Sequence, residues 1–147
     1  MTPDRGILDI LLVEDSTADA ELTLRALRKA GLGSQVLWVK DGQAAVDYLF
    51  DEGEQPRPKN DRPRLVLLDL KLPKLSGLDV LKRIKGDDAQ KAIPVVMLTS
   101  SSEESDITAA YELGANSYLV KPVDFQHLAQ LVVSAGEFWL LANRMPP

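Results

Sequence analysis

Residues 65–73 read LVLLDLKLP, a run of Leu and Val that stops abruptly at Asp69 and turns at Pro73. An apolar run that does not alternate with polar residues is the habit of a strand covered on both faces, as in a parallel sheet. Four more stretches have the same character: Ile7 to Val13, Gln35 to Val39, Ile93 to Leu98 and Ser117 to Val120. Helical patterns lie between them. Ser16 with Asp19 three residues on resembles a capping box, opening a helix through Ala30 that stops at Gly31 or Gly33. Asp41 or Gly42 starts a short helix to about Phe50, and Ser76 with Gly77 starts one ending near Gly86. Ser101 with Glu104 reads as a further start, of a helix running to about Leu113 and stopping at Gly114. Asp124 caps the last helix, whose apolar residues recur at three- and four-residue intervals to about Asn143. Strands alternating with helices imply right-handed βαβ units, hence a doubly wound α/β sandwich with a five-stranded parallel sheet and five helices. The stretch Asp51 to Arg64, with three Pro and four charges of each sign, reads as one long solvated connection.

Composition bounds the rest. A chain of 147 residues with 45% apolar content fits one domain with a real core. The reading is a single domain over 1–147, with a core at about 7–135 and an extended helix end and tail at about 136–147. No further, output domain is therefore expected. The absence of Cys removes disulfides, thiol nucleophiles and nearly every structural zinc site. A net charge of −5 argues against a nucleic-acid partner, which calls for a basic face. The N-terminal apolar run is too short to span a membrane and wrong for a secretory signal, so a soluble cytoplasmic protein is expected.

In an open parallel sheet, ligands bind beyond the carboxyl ends of the strands. Those ends carry Glu14 and Asp15, Asp69, Thr99 and Ser100, and Lys121 followed by Pro122. Each residue alone has a structural explanation, as a cap, a turn former or a solvated charge. Together they are harder to explain that way, because three crowded carboxylates repel one another unless a cation sits among them. Mg²⁺ suits that arrangement, being held by one or two carboxylates plus waters and phosphate oxygens. Beside a carboxylate, a Lys and a Thr, it is equipped for phosphoryl transfer.

The set resembles the receiver domain of two-component response regulators. The residues that carry the resemblance are LLVED with Glu14 and Asp15, LLDLKLP with Asp69, VVMLTSS with Thr99, and SYLVKP with Tyr118, Lys121 and Pro122. Asp69 and Thr99 stand 30 positions apart, Thr99 and Lys121 22. The resemblance implies a flavodoxin-like receiver fold with strand order 2-1-3-4-5. It implies that Asp69 accepts a phosphoryl group from a sensor histidine kinase, and that Asp15 and Asp69 ligate Mg²⁺. The backbone carbonyl of Lys71 would be a third ligand, and Glu14 would act through a water. Lys121 would meet a phosphoryl oxygen, and Thr99 with Tyr118 would form a switch. A cis Lys121–Pro122 bond is expected, and Lys71 and Ser101 lie where the family tunes phosphate lifetime. The chain would catalyse only its own phosphorylation and dephosphorylation.

The long insert, the DLKLPK wording, the TSS triplet and the extended last helix are also similar to the small regulators paired with bacterial phytochromes. A bacteriophytochrome kinase is the partner this suggests. Phe138, Trp139, Leu140 and Leu141 in succession wrap more than one helical face. A homodimer through the fourth helix, fifth strand and fifth helix is therefore expected. Two alternatives stand beside this reading. One is a receiver-like adaptor that works without phosphorylation. The other is a haloacid-dehalogenase-type, Mg²⁺-dependent phosphatase, a chemistry that wants a second acidic residue two positions after the nucleophile, where Lys71 stands instead. A lone His127 on the last helix reads as a surface residue rather than a phosphotransfer histidine.

Overall fold

The computed structural model describes residues 8–50 and 62–146. In chain order the elements are β1 (Leu8–Val13), α1 (Thr17–Lys29), β2 (Val36–Val39), α2 (Gly42–Phe50), β3 (Pro63–Leu68), α3 (Gly77–Lys85), β4 (Val95–Thr99), α4 (Glu104–Glu112), β5 (Ser117–Val120) and α5 (Phe125–Gly136), followed by a π-helical segment at Glu137–Ala142. The five strands form one parallel sheet in the order β2-β1-β3-β4-β5, the receiver topology. Strand order reverses at β1, which puts a crevice beyond the carboxyl ends of β1 and β3.

The unbroken apolar runs are explained by two cores. Leu11, Val13, Val66, Leu68, Val95 and Met97 face α2, α3 and α4, where they meet Val46, Leu49, Val80, Leu81 and Ile84. The alternate residues Ile10, Leu12, Leu65, Leu67, Val96 and Leu98 face α1 and α5, where they meet Leu27, Leu128 and Val132. Each such side chain contributes about 1.5–3 kcal/mol by burial. Edge strands β2 and β5 are only half-buried. No helix among the described residues is long and apolar enough to cross a membrane.

Several boundaries differ from the sequence expectation for local reasons. β3 begins at Pro63, so Pro63 and Arg64 are strand rather than connection; residues 51–61 of the expected loop lie outside the described residues, as does Ile7 at the head of β1. β4 begins at Val95 because the Ile93 N–H is committed to a turn with the Gln90 carbonyl. Ser101 does not cap α4. The N-cap is Glu103, with no side-chain cap bond, because the Ser101 hydroxyl donates to Asp106 Oδ2 at 2.5 Å. There is no cis peptide bond among the described residues, so Lys121–Pro122 is trans. That isomer is intrinsically favoured by about 0.5–1 kcal/mol, and the Lys121 N–H donates to the Thr99 carbonyl at 2.8 Å.

The last helix is not one continuous α-helix. After Gly136 the Asn143 N–H bonds the Phe138 carbonyl, a five-residue step, and the extra residue per turn re-aims the side chains that follow. Leu140 turns inward and is buried, Trp139 is half-buried, and only Phe138 and Leu141 of the expected surface run are largely exposed. Arg64 Nη2 donates to the Leu140 carbonyl at 2.6 Å, capping an acceptor at the helix end.

Candidate functional site

The parallel register aligns the ends of four strands. Val13 pairs with Leu68, Leu68 with Met97, and Thr99 with Val120, so the residues that follow emerge on one rim. There they line a cleft of about 530 Å³ with Glu14, Asp15, Asp19, Asp69, Lys71, Thr99, Lys121 and the 100–103 loop. The backbone around Asp69 is drawn tight: the Gly77 N–H donates to the Leu70 carbonyl at 2.7 Å. A Cβ at Gly77 would stand 2.1 Å from the Asp69 carbonyl oxygen, so only glycine allows α3 to start this close to the Asp69 turn.

At the centre is the Lys121 ammonium, nearly fully buried. Its Nζ donates to Glu14 Oε1 at 2.5 Å, Asp19 Oδ2 at 2.9 Å and Asp69 Oδ2 at 3.2 Å. The other oxygens are used as well. Glu14 Oε2 accepts the Ser16 N–H at 3.1 Å, and Asp69 Oδ1 accepts the Leu70 N–H at 2.7 Å. Burial pushes the Glu14 carboxyl up to about 7; the Lys121 hydrogen bond opposes this and the Asp69 charge adds to it. For Lys121 burial acts downward but is outweighed by the Glu14 hydrogen bond, the Asp69 charge and the Asp19 hydrogen bond, so its pKa is raised. One oxygen each from Glu14, Asp15 and Asp69 lies within 4.8 Å of the other two. Three hard oxygen donors that close, two of them buried and one under pressure to hold a proton, suit a divalent cation.

The remaining candidates border the cleft. Buried Thr99 closes β4, and its hydroxyl accepts the Ser101 N–H at 3.4 Å. Tyr118 is half-buried on β5, and its hydroxyl donates to the Ser101 carbonyl at 2.9 Å; burial raises its pKa. His127 lies outside the cleft, exposed on the first turn of α5 and paired with the N-cap residue Asp124, whose carboxyl its backbone N–H holds below the usual range. Phe138, Trp139, Leu140 and Leu141 belong to the π-helical segment and do not line the cleft.

Two participants escape sequence reasoning. Asp19 was accounted for as half of a capping box. Its backbone N–H does bond the Ser16 hydroxyl, but the Ser16 N–H goes to Glu14, leaving the short Asp19 side chain for Lys121. Trp38, on edge strand β2, donates its indole N–H to the Glu14 carbonyl at 2.7 Å and fixes the backbone of the acidic pair. No local pattern announces either contact, since Asp19 and Lys121 are 102 positions apart.

Residues 10–133 match the family model of the response regulator receiver domain. The chain belongs to the response regulator receiver family. It is 46% identical over 138 residues to the probable methanogenesis regulatory protein FilR2 of Methanothrix harundinacea, covering 93% of this chain and 86% of that one. It is 42% identical over 137 residues to the response regulator Rcp1 of Synechocystis, covering 93% and 92%. The Mn²⁺-bound crystal structure of Rcp1 superposes with a TM-score of 0.84 at 40% identity, over 95% of this chain and 99% of that one. The phosphorylated cyanobacterial phytochrome response regulator RcpA gives a TM-score of 0.88 at 42% identity, over 96% and 99%. The receiver is a signalling domain, the Rcp1 structure is the Mn²⁺-bound form, and in this chain Glu14, Asp15 and Asp69 form an acidic cluster of a kind that could hold such an ion.

Proposed function

We propose that Asp69 is the phosphoacceptor of a two-component pathway, taking its phosphoryl group from a phosphohistidine on a sensor histidine kinase. A carboxylate oxygen of Asp69 forms the new O–P bond as the N–P bond breaks, and the histidine nitrogen keeps the electron pair and regains a proton. Asp15, Asp69 and the Lys71 carbonyl would hold Mg²⁺, with Glu14 acting through a water, and the ion would supply neutralisation of phosphoryl charge. Lys121, 3.2 Å from Asp69 Oδ2, meets a phosphoryl oxygen, and the Thr99 hydroxyl turns toward another. Thr99 and Tyr118 relay the change through the Ser101 loop, where their contacts meet. The observation that carries this reading is the buried ammonium shared among Glu14, Asp19 and Asp69 beside a three-carboxylate cation site.

Incubation with acetyl phosphate tests it. Mg²⁺-dependent, acid-labile and hydroxylamine-sensitive label is expected on the wild type, with at least about a hundredfold loss in Asp69→Asn. Label that survives in Asp69→Asn, or none on the wild type, overturns the reading, the latter in favour of a phosphorylation-independent adaptor. Catalytic release of phosphate from unrelated phosphoesters would favour the phosphatase.

The similarity to the cyanobacterial phytochrome response regulator RcpA supports a bacteriophytochrome as the kinase, acting on this chain in the cytoplasm. Transfer from non-photoreceptor kinases alone, in a panel of phosphorylated kinases, would reject that partner. Exposed Phe138 and Leu141 beside half-buried Trp139 support a homodimer through α4, β5, α5 and the helix end. Buried Leu140 does not belong to that surface.

A further inference from the structure

The phosphotransfer reading leaves one contact in the cleft without a task. Asp19 Oδ2 lies 2.9 Å from Lys121 Nζ, yet Asp19 is not among the three carboxylates grouped closely enough to hold a cation. Its backbone is secured separately, by the 3.3 Å bond from its N–H to the Ser16 hydroxyl, so its side chain is not the cap of α1. Of the three anions on the ammonium, Glu14 and Asp69 belong also to the cation set, and Asp19 alone does not. A dication drawn to Glu14, Asp15 and Asp69 competes with the ammonium for the same oxygens and repels it at close range. Two of the three contacts that hold Lys121 therefore weaken under the conditions in which its charge is needed beside Asp69.

We propose that Asp19 is a positioning residue for Lys121, a carboxylate outside the cation set that keeps the ammonium at the rim of the cleft while Glu14 and Asp69 are engaged elsewhere. The inference rests on Asp69 being the phosphoacceptor. It differs in sign from a bare charge effect: as one more negative charge, Asp19 would repel the incoming phosphoryl group, and its removal would speed transfer.

The test compares wild type, Asp19→Asn, Asp19→Glu, Lys121→Met and the Asp19→Asn/Lys121→Met double variant. Labelling rates are taken with acetyl phosphate at saturating Mg²⁺, Mg²⁺ affinity by calorimetry without a phosphodonor, and folding by urea titration. Asp19→Asn is expected to slow labelling about tenfold while shifting the Mg²⁺ dissociation constant less than about threefold, and Asp19→Glu to recover part of the rate. In the Lys121→Met background the Asp19→Asn change should have no further effect, because the residue acts through the ammonium. An unchanged or faster rate in Asp19→Asn overturns the proposal, as does a full additional slowing in the double variant. Absence of label on the wild type overturns the phosphoacceptor reading instead.

Discussion

The rim of the sheet and the end of the last helix invert the ordinary rule of folding in opposite senses. At the rim, Glu14, Asp69 and Lys121 are ionisable and nearly fully buried. At the helix end, Phe138 and Leu141 are apolar and more than half exposed. Buried charge needs compensation, which Lys121 gives to Glu14, Asp19 and Asp69, whereas exposed apolar surface needs cover, which Phe138 and Leu141 largely lack. They also differ in how they are assembled. The rim draws Glu14, Asp69 and Lys121 from distant points and fixes them by strand register. The helix end uses contiguous residues and is shaped by one added residue in a helical turn.

The largest effect that sharpens this contrast is expected at the ammonium. Lys121→Met leaves three carboxylates without their cation and should destabilise the metal-free protein by about 3–5 kcal/mol in urea titration at pH 8. Mg²⁺ should then restore more stability to the variant than to the wild type. A neutral result would mean the rim tolerates uncompensated charge. At the helix end the inward residue is the sensitive one: Leu140→Ala should lower stability by about 2–5 kcal/mol. Gly77→Ala comes next, because its Cβ meets the Asp69 carbonyl; a loss of about 1–3 kcal/mol with slower labelling is expected from thermal unfolding and acetyl phosphate assays. The pH dependence of Mg²⁺ binding is smaller. Glu14 is raised to about 7, so below that pH a proton competes with the cation. Calorimetric affinity should fall up to about tenfold per unit below pH 7 and level off above it, since one pKa unit corresponds to about 1.4 kcal/mol. The smallest effect is expected at Leu141→Ser, within about 0.5 kcal/mol of wild type by urea titration. Sedimentation should nevertheless show a weakened dimer; a monomer in the wild type at micromolar concentration would remove the dimer from the proposal.

Why the rim was legible in the sequence and the helix end was not follows from the same contrast. A parallel sheet buried on both faces demands runs such as LVLL and VVML, and the position where each run stops shows where its polar residues emerge. Fold, strand order and the convergence of Glu14, Asp15, Asp69, Thr99 and Lys121 therefore stand close to expectation. Local patterns were less informative. S-x-x-D at Ser16 and S-x-x-E at Ser101 look alike as cap signals, but the first loses half its box to Glu14 and Lys121, and the second loses its hydroxyl to Asp106. A helical period extrapolated past Gly136 placed Leu140 on the surface, because no residue type marks a turn widened by one residue. The Lys121–Pro122 bond is trans, the isomer that an X–Pro dipeptide favours intrinsically, where the resemblance implied cis.

The 2.7 Å bond from the Trp38 indole to the Glu14 carbonyl has a practical side. The chain has two tryptophans, and the other, Trp139, sits in the helix end. Each inverted region thus contains its own fluorophore. Trp139→Phe leaves an unlabelled optical reporter of events at the acidic rim, and Trp38→Phe leaves one for contacts made by the tail.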